Sequence, residues 1–246
     1  MRSAMGRKAR GAALLLGCGA AVLALIGCGG SDEPGGEPLP AETAAIISAS
    51  AQAMGDVTSV RFTLTRSGAP VFIDEFETLA LETVDGRYSA PGSADALLTV
   101  EVNGSLKTEL GAIAIDDTVW LSNPVTGEFE PLPAGYDLDP SSFFDPERGW
   151  RPLLAELREP ELVGEEDRDG DRYHVRGVAP ADQVEIISAG LVRDQDVAID
   201  FWIHPVTGLV TAAEFTTTYQ GADIDWVLEL RDYGETFAIE PPQVDG

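Results

Sequence analysis

Cysteine is nearly absent. The chain of 246 residues holds two, Cys18 and Cys28. Nothing downstream of Cys28 can join a disulfide or a cysteine-based metal site. Cations are scarce as well: 16 Lys and Arg stand against 42 Asp and Glu, a formal charge of −26. That balance argues against nucleic acid, because neutralising phosphates takes Lys and Arg. It argues equally against charge-driven docking on anionic lipid. Long apolar runs are missing too. The stretch from Gly11 to Leu25 is too short to remain across ~30 Å of hydrocarbon.

What the N-terminus does contain is an address. Arg2, Arg7, Lys8 and Arg10 form a positive region, Gly11–Leu25 a short apolar one, and Leu25-Ile26-Gly27-Cys28 a lipobox-like site. The expectation is a lipoprotein signal peptide over residues 1–27, with Cys28 as the new N-terminus and acylated at its thiol. Cys18 has too few apolar residues before it to mark the cleavage site. Removing the signal takes four cations and no carboxylate, so the formal charge moves from −26 to −30. Acylation then places the protein at the cell membrane, anchored by lipid on the extracytoplasmic side.

Residues 28–40 follow as the acylated cysteine and a tether (GGSDEPGGEPLP after Cys28), with too little apolar content to fold. Residues 41–246 are expected to form one domain. Ala41–Met54 reads as a helix stopped by Gly55. The pattern then turns to period two. Val60, Phe62 and Leu64 form one apolar phase. Leu98, Val100 and Val102 form a second, Val197, Ile199, Phe201 and Ile203 a third, and Ile224, Trp226, Leu228 and Leu230 a fourth. Asp85-Gly86 and Asn103-Gly104 read as hairpin turns. The repeated Pro-Val-Thr-Gly of 124–127 and 205–208 reads as two tight reversals.

Between the strand groups, Leu138–Leu162 has Phe143, Phe144, Trp150, Leu153, Leu154 and Leu157 at helical spacing. Pro180–Ala189 is a second, shorter helical candidate. The plan is helix, about six strands, helices, strand, short helix and three strands. This is an α+β fold with a meandering antiparallel sheet.

Catalytic motifs are lacking. His174 sits in a strand opposite in phase to Tyr173 and Val175, as a surface residue; His204 precedes a turn proline. Neither has the context of a nucleophile elbow, a zinc helix or a phosphate loop. The acidic run 165–171 lacks most of a calcium loop's spacing, and Asp169-Gly170 reads as a hairpin tip. No catalytic residue, metal site or cofactor is assigned. The aromatic load suggests an alternative use of apolar surface. A curved sheet with one apolar face, incompletely covered by helices, leaves a concave apolar cleft.

Several segments carry a family resemblance. Met54–Leu64 resembles the opening of the mycobacterial LprG/LppX/LprA/LprF lipoproteins. Asp139–Gly149, followed by Leu153-Leu154-Ala155-Glu156-Leu157, resembles their central segment and its Leu-rich helix. Gly170–Gly177, Ile199–Val210 and Leu230–Glu235 resemble their later strands in the right order. Phe72–Val84, rich in acidic residues, is not clearly matched. The resemblance implies a LolA/LolB-like fold, a curved half-barrel sheet closed by helices around an apolar cavity.

It also implies a function: binding acyl chains of lipids or glycolipids and shuttling them from the membrane, beside a membrane exporter. The alternative is a surface lipoprotein that binds or senses a partner without lipid cargo. The residues expected to line the cavity are Val60, Phe62, Leu64, Leu98, Val100, Val102, Phe143, Phe144, Leu153, Leu157, Val197, Ile199, Phe201 and Ile203. Cys28 is the expected lipidation site.

Overall fold

The computed structural model describes residues 42–243 apart from 75, 117, 133–140, 169 and 189. The expected signal, Cys28 and the tether lie outside the described residues. Helix α1 (Thr43–Gly55) leads into six strands: β1 (Ser59–Gly68), β2 (Leu79–Ser89), β3 (Ser93–Val102), β4 (Leu106–Ile115), β5 (Thr118–Ser122) and β6 (Phe129–Pro131). Helices α2 (Ser141–Phe144) and α3 (Trp150–Ala155) follow, then β7 (Arg158–Asp167) and β8 (Asp171–Ala179). Helix α4 (Ala181–Ile187) precedes β9 (Val197–Ile203), β10 (Val210–Tyr219) and β11 (Ala222–Arg231).

All eleven strands join one antiparallel sheet in the order β6-β5-β4-β3-β2-β1-β11-β10-β9-β8-β7. Two meanders meet where β1 pairs with β11, from Arg61↔Arg231 to Gly68↔Ile224. The outer strands β6 and β7 do not pair with each other, so the sheet is open. The chain crosses from one edge to the other through α2 and α3.

Two strands rather than one precede α4. Leu162, expected at the end of a helical stretch, lies in β7 opposite Val175. The helical run ends sooner because α3 stops at Ala155, two residues before Leu157. Pro152 falls in the first turn of α3, where a missing N–H costs no helical bond.

The turns divide. Asn103 and Gly104 both adopt positive φ in the β3–β4 hairpin, as expected. The two Pro-Val-Thr-Gly segments close the same way: Gly127 N–H donates to Asn123 O and Gly208 N–H to His204 O, each at 2.9 Å. The His204 ring copies the Asn123 side chain by accepting from the two amides that follow the proline, through Nδ1. Asp85-Gly86, in contrast, is no turn. It lies within β2, where Gly86 faces Phe62 across the β1–β2 ladder. The Phe62 ring fills the space a Cβ would need, so this glycine answers to packing and not to chain reversal.

Candidate functional site

One face of the sheet carries most of its buried apolar side chains. Cross-strand partners share a face, so the registers define rows. One row runs Leu162–Val175–Phe201–Ala213–Leu228–Leu64–Val84–Leu98–Leu110, apolar throughout, over nine strands. The ten strand residues expected to line a cavity all lie on this face; Phe143, Phe144 and Leu153 from the helices, and Leu157 just past α3, pack with its buried residues.

Their burial separates them. Val60, Val197, Ile199, Phe201, Ile203, Phe144, Leu153 and Leu157 belong to a packed cluster beneath the helices, flanked by Phe62 and Phe143. Aromatic contacts tie this cluster together: Tyr88 to Phe144 at 4.7 Å, and Trp150 edge-on to Phe201 at 6.3 Å. Val100 belongs to a second cluster with Leu81, Leu110, Ile224 and Trp226, flanked by Leu64, Leu98 and Val102.

Between the two clusters the apolar face is less covered, a strip termed the trough. Its floor is Phe62, Leu64, Val84, Leu98, Phe215 and Leu228. All six are on the apolar face near the middle of the sheet, yet none is fully buried. Beside Phe62 the next positions across the sheet are Gly86, covered by the Phe62 ring, and then the small Ala96 and Ala112. Phe215 touches both clusters. Sequence reading found half of this floor. Leu228 lay in an alternating run but was not singled out; Val84 was hidden in an acidic stretch, and Phe215 stands among threonines.

One end of the trough is pinned by a buried cation. Arg66 points to the apolar face with its side chain 7% exposed and pairs with Glu82 at 2.8 Å. Its guanidinium also donates to the carbonyls of Gly68, Ala69 and Leu81. These bonds hold the segment after β1 so that Ala69, Val71 and Ile73 cap the second cluster. Lys107 completes the group at 2.9 Å from Glu82. The Lys107 hydrogen bond is the foremost of the contacts that hold the Glu82 carboxyl below its usual range, against the opposing effect of burial.

The opposite face carries a polar knot that the sequence did not disclose. His174, read as a surface residue, is buried. Its Nδ1 lies 2.8 Å from Glu166 Oε1 and its Nε2 2.6 Å from Asp200 Oδ1. Each ring nitrogen thus faces a carboxylate oxygen. The ring stacks on Trp202 at 4.6 Å, and Trp202 Nε1–H donates to Glu166 Oε2. Arg168 lies over the other side of the indole and pairs with Glu214. The knot ties the outermost strand β7 to β8, β9 and β10.

A pH dependence follows. The Trp202 and His174 hydrogen bonds hold the Glu166 carboxyl below its ordinary value of 4.5. A depressed folded-state value contributes stability above the ordinary value and loses it as pH falls through the folded one. Glu166→Gln should therefore lose less melting temperature than the parent on acidification from about pH 6 to 3. Parallel curves for the two proteins would refute this coupling.

Among the described residues no helix is long and apolar enough to cross a membrane. No curated protein matches the chain in sequence. Solved structures do match in fold. Lipoprotein LprF from Mycobacterium bovis superposes with a TM-score of 0.61 at 19% identity, covering 84% of this chain and 99% of that one. Lipoprotein LppX from Mycobacterium tuberculosis gives 0.54 at 17%, covering 80% and 98%. The open eleven-stranded sheet is thus the LprF and LppX fold. The family model named LppX_LprAFG lipoprotein matches residues 42–239, from α1 to beyond β11, and the chain belongs to that family.

Proposed function

We propose that the protein is a cell-envelope lipoprotein that holds acyl chains of lipids or glycolipids in the trough and carries them from the membrane. The observation behind this reading is the floor itself. Six large apolar side chains lie side by side between two packed clusters, and no residue packed over them buries them fully. A partly covered apolar surface of this kind suits an alkyl chain better than a charged or polar ligand. Helices α1 to α4 and the segment capped by Arg66 serve as its walls, in the manner of a LolA/LolB-like carrier.

Anchoring belongs to the same proposal. Residues 1–27 are the signal, Cys28 carries the lipid on the extracytoplasmic side, and residues 28–40 tether the domain of 41–246. Dual acylation or more holds such a protein at the membrane. Cys28→Ala should give a soluble or signal-retaining product, while Cys18→Ala should leave it membrane-bound. A processed, detergent-requiring Cys28→Ala protein would overturn the assignment. Attachment by acyl chains also fits the acidic surface, which favours neutral, zwitterionic or sugar-rich headgroups and cargo loading that depends weakly on salt.

No residue is assigned to catalysis. A membrane exporter as transfer partner is part of the proposal through the family resemblance. The proposal is tested by extracting lipid from the protein purified out of its own membranes. Long-chain lipid near one molecule per protein is expected. Its absence, with transfer between neutral vesicles no faster than without protein, would favour a partner-binding module.

A further inference from the structure

The exposed apolar residues are not scattered. Among the described residues seven large hydrophobics are exposed: Phe76, Leu97, Leu106, Val125, Val163, Leu191 and Tyr219. Five of them sit on connections that open towards one end of the sheet, the end where β1 stops and β2 begins. They are Phe76 between β1 and β2, Leu106 at the β3–β4 turn, Val125 between β5 and β6, Leu191 between α4 and β9, and Tyr219 at the β10–β11 turn. The connections at the opposite end, β2–β3, β4–β5, β7–β8 and β9–β10, hold none of the seven.

Three of these tips share a rim, on neighbouring connections of that end. Phe76, Leu106 and Tyr219 are 84%, 64% and 56% exposed. Following the pairings from Tyr219↔Ala222 through Ile224↔Gly68 to Leu79↔Val102↔Leu106 puts Leu106 and Tyr219 within about two residues, ~7 Å, of one height. Five strand spacings, ~24 Å, separate them, with the Phe76 connection between. The turn that presents Phe76 is locked. The Asp74 carboxylate accepts from Thr78 N, Leu79 N and Thr78 Oγ1, and Asn103 N–H donates to Thr78 O from the neighbouring turn. Phe76 thus stands exposed beside a turn tied by these bonds.

We infer that this end of the sheet docks on a lipid bilayer, with Phe76, Leu106 and Tyr219 entering the interface. A partner that meets three apolar tips spread over a rim this broad must be flat and apolar just below its surface. The membrane is the surface that a lipoprotein of this family meets first. Aromatic side chains such as Phe76 and Tyr219 suit its interfacial layer. Charge selects the bilayer: Asp74, Glu77 and Asp223 lie at these turns, and the cations beside them, Arg66 and Lys107, are both paired with Glu82, so a zwitterionic surface is accepted and an anionic one is not required. Docking stands on the tips and not on the contents of the trough.

The test uses the acylated protein extracted from membranes and reconstituted in phosphatidylcholine vesicles. A nitrobenzoxadiazole fluorophore is placed singly through Phe76→Cys, Leu106→Cys or Tyr219→Cys, and through Asp171→Cys at the far end. A several-fold, blue-shifted rise at the three tips and none at position 171 is expected. Adding Phe76→Glu should abolish most of the rise at position 219, whereas Leu97→Glu, exposed away from the rim, should not. Tips that respond no more than position 171 overturn the docking. So does a rise that needs phosphatidylglycerol and vanishes in salt. A protein that retains bound lipid while its tips stay dry loses the docking alone; one whose tips enter the bilayer while it carries no lipid loses the carrier reading alone.

Discussion

Phe201→Ala should destabilise the domain by about 3–5 kcal/mol, the range for emptying a buried phenylalanine site. Phe201 is fully buried, meets Val175 and Ala213 across the ladders, and touches Trp150 edge-on. The backbone there is fixed by strands on both sides, so the site cannot easily collapse and the upper part of the range is expected. For a domain of this size that is a drop of about 6–20 °C in melting temperature. Phe76→Ala, at the most exposed phenylalanine, should change stability by no more than about 0.5 kcal/mol. Denaturant unfolding of both variants checks the contrast. A cost below about 1 kcal/mol for Phe201→Ala would mean that the helices do not seal this half of the sheet.

Leu98→Trp should leave stability close to the parent's and remove most of the bound lipid. Leu98 lies half-buried on the floor of the trough, where an added ring takes up space that acyl chains would use. Its neighbour Leu97 points to the other face and is exposed, so Leu97→Trp should keep the lipid. The same change at Val100 is different in kind. Val100 is fully enclosed by the second cluster, so Val100→Trp should overpack it and cost about 1–3 kcal/mol or more. Thermal melts of delipidated protein beside native mass spectrometry separate these outcomes. Equal lipid loss from Leu97→Trp and Leu98→Trp would place the lipid elsewhere.

The strands were legible because one apolar face imposes period two. Val60, Phe62 and Leu64, and likewise Val197 to Ile203, emerged with the correct phase. Asp85-Gly86 misled because a glycine that makes room for Phe62 leaves the same trace as one that turns the chain. The strand β7 was missed because its side chains are mostly charged, as suits a sheet edge. For the site, periodicity gave the face but not the division of that face. Whether Val100 is enclosed and Leu98 half-open depends on which segment lies above each, and Arg66 decides part of that from a strand whose pattern shows it only as the second of two arginines. The His174 knot was invisible for a similar reason: Glu166 and Asp200 lie 8 and 26 positions away and meet it only through the β8 ladders.

The central claim is that acyl chains lie on the apolar face between the two clusters. Photo-crosslinking tests it most directly, with a diazirine-bearing long-chain lipid loaded into the purified protein and the modified peptides sequenced. Adducts on Leu64, Val84, Leu98, Phe215 or Leu228, and none on the opposite-facing Leu97, Ile113 or Trp202, are predicted. Adducts confined to the opposite face or to the exposed tips, with the floor residues unmodified, would contradict it.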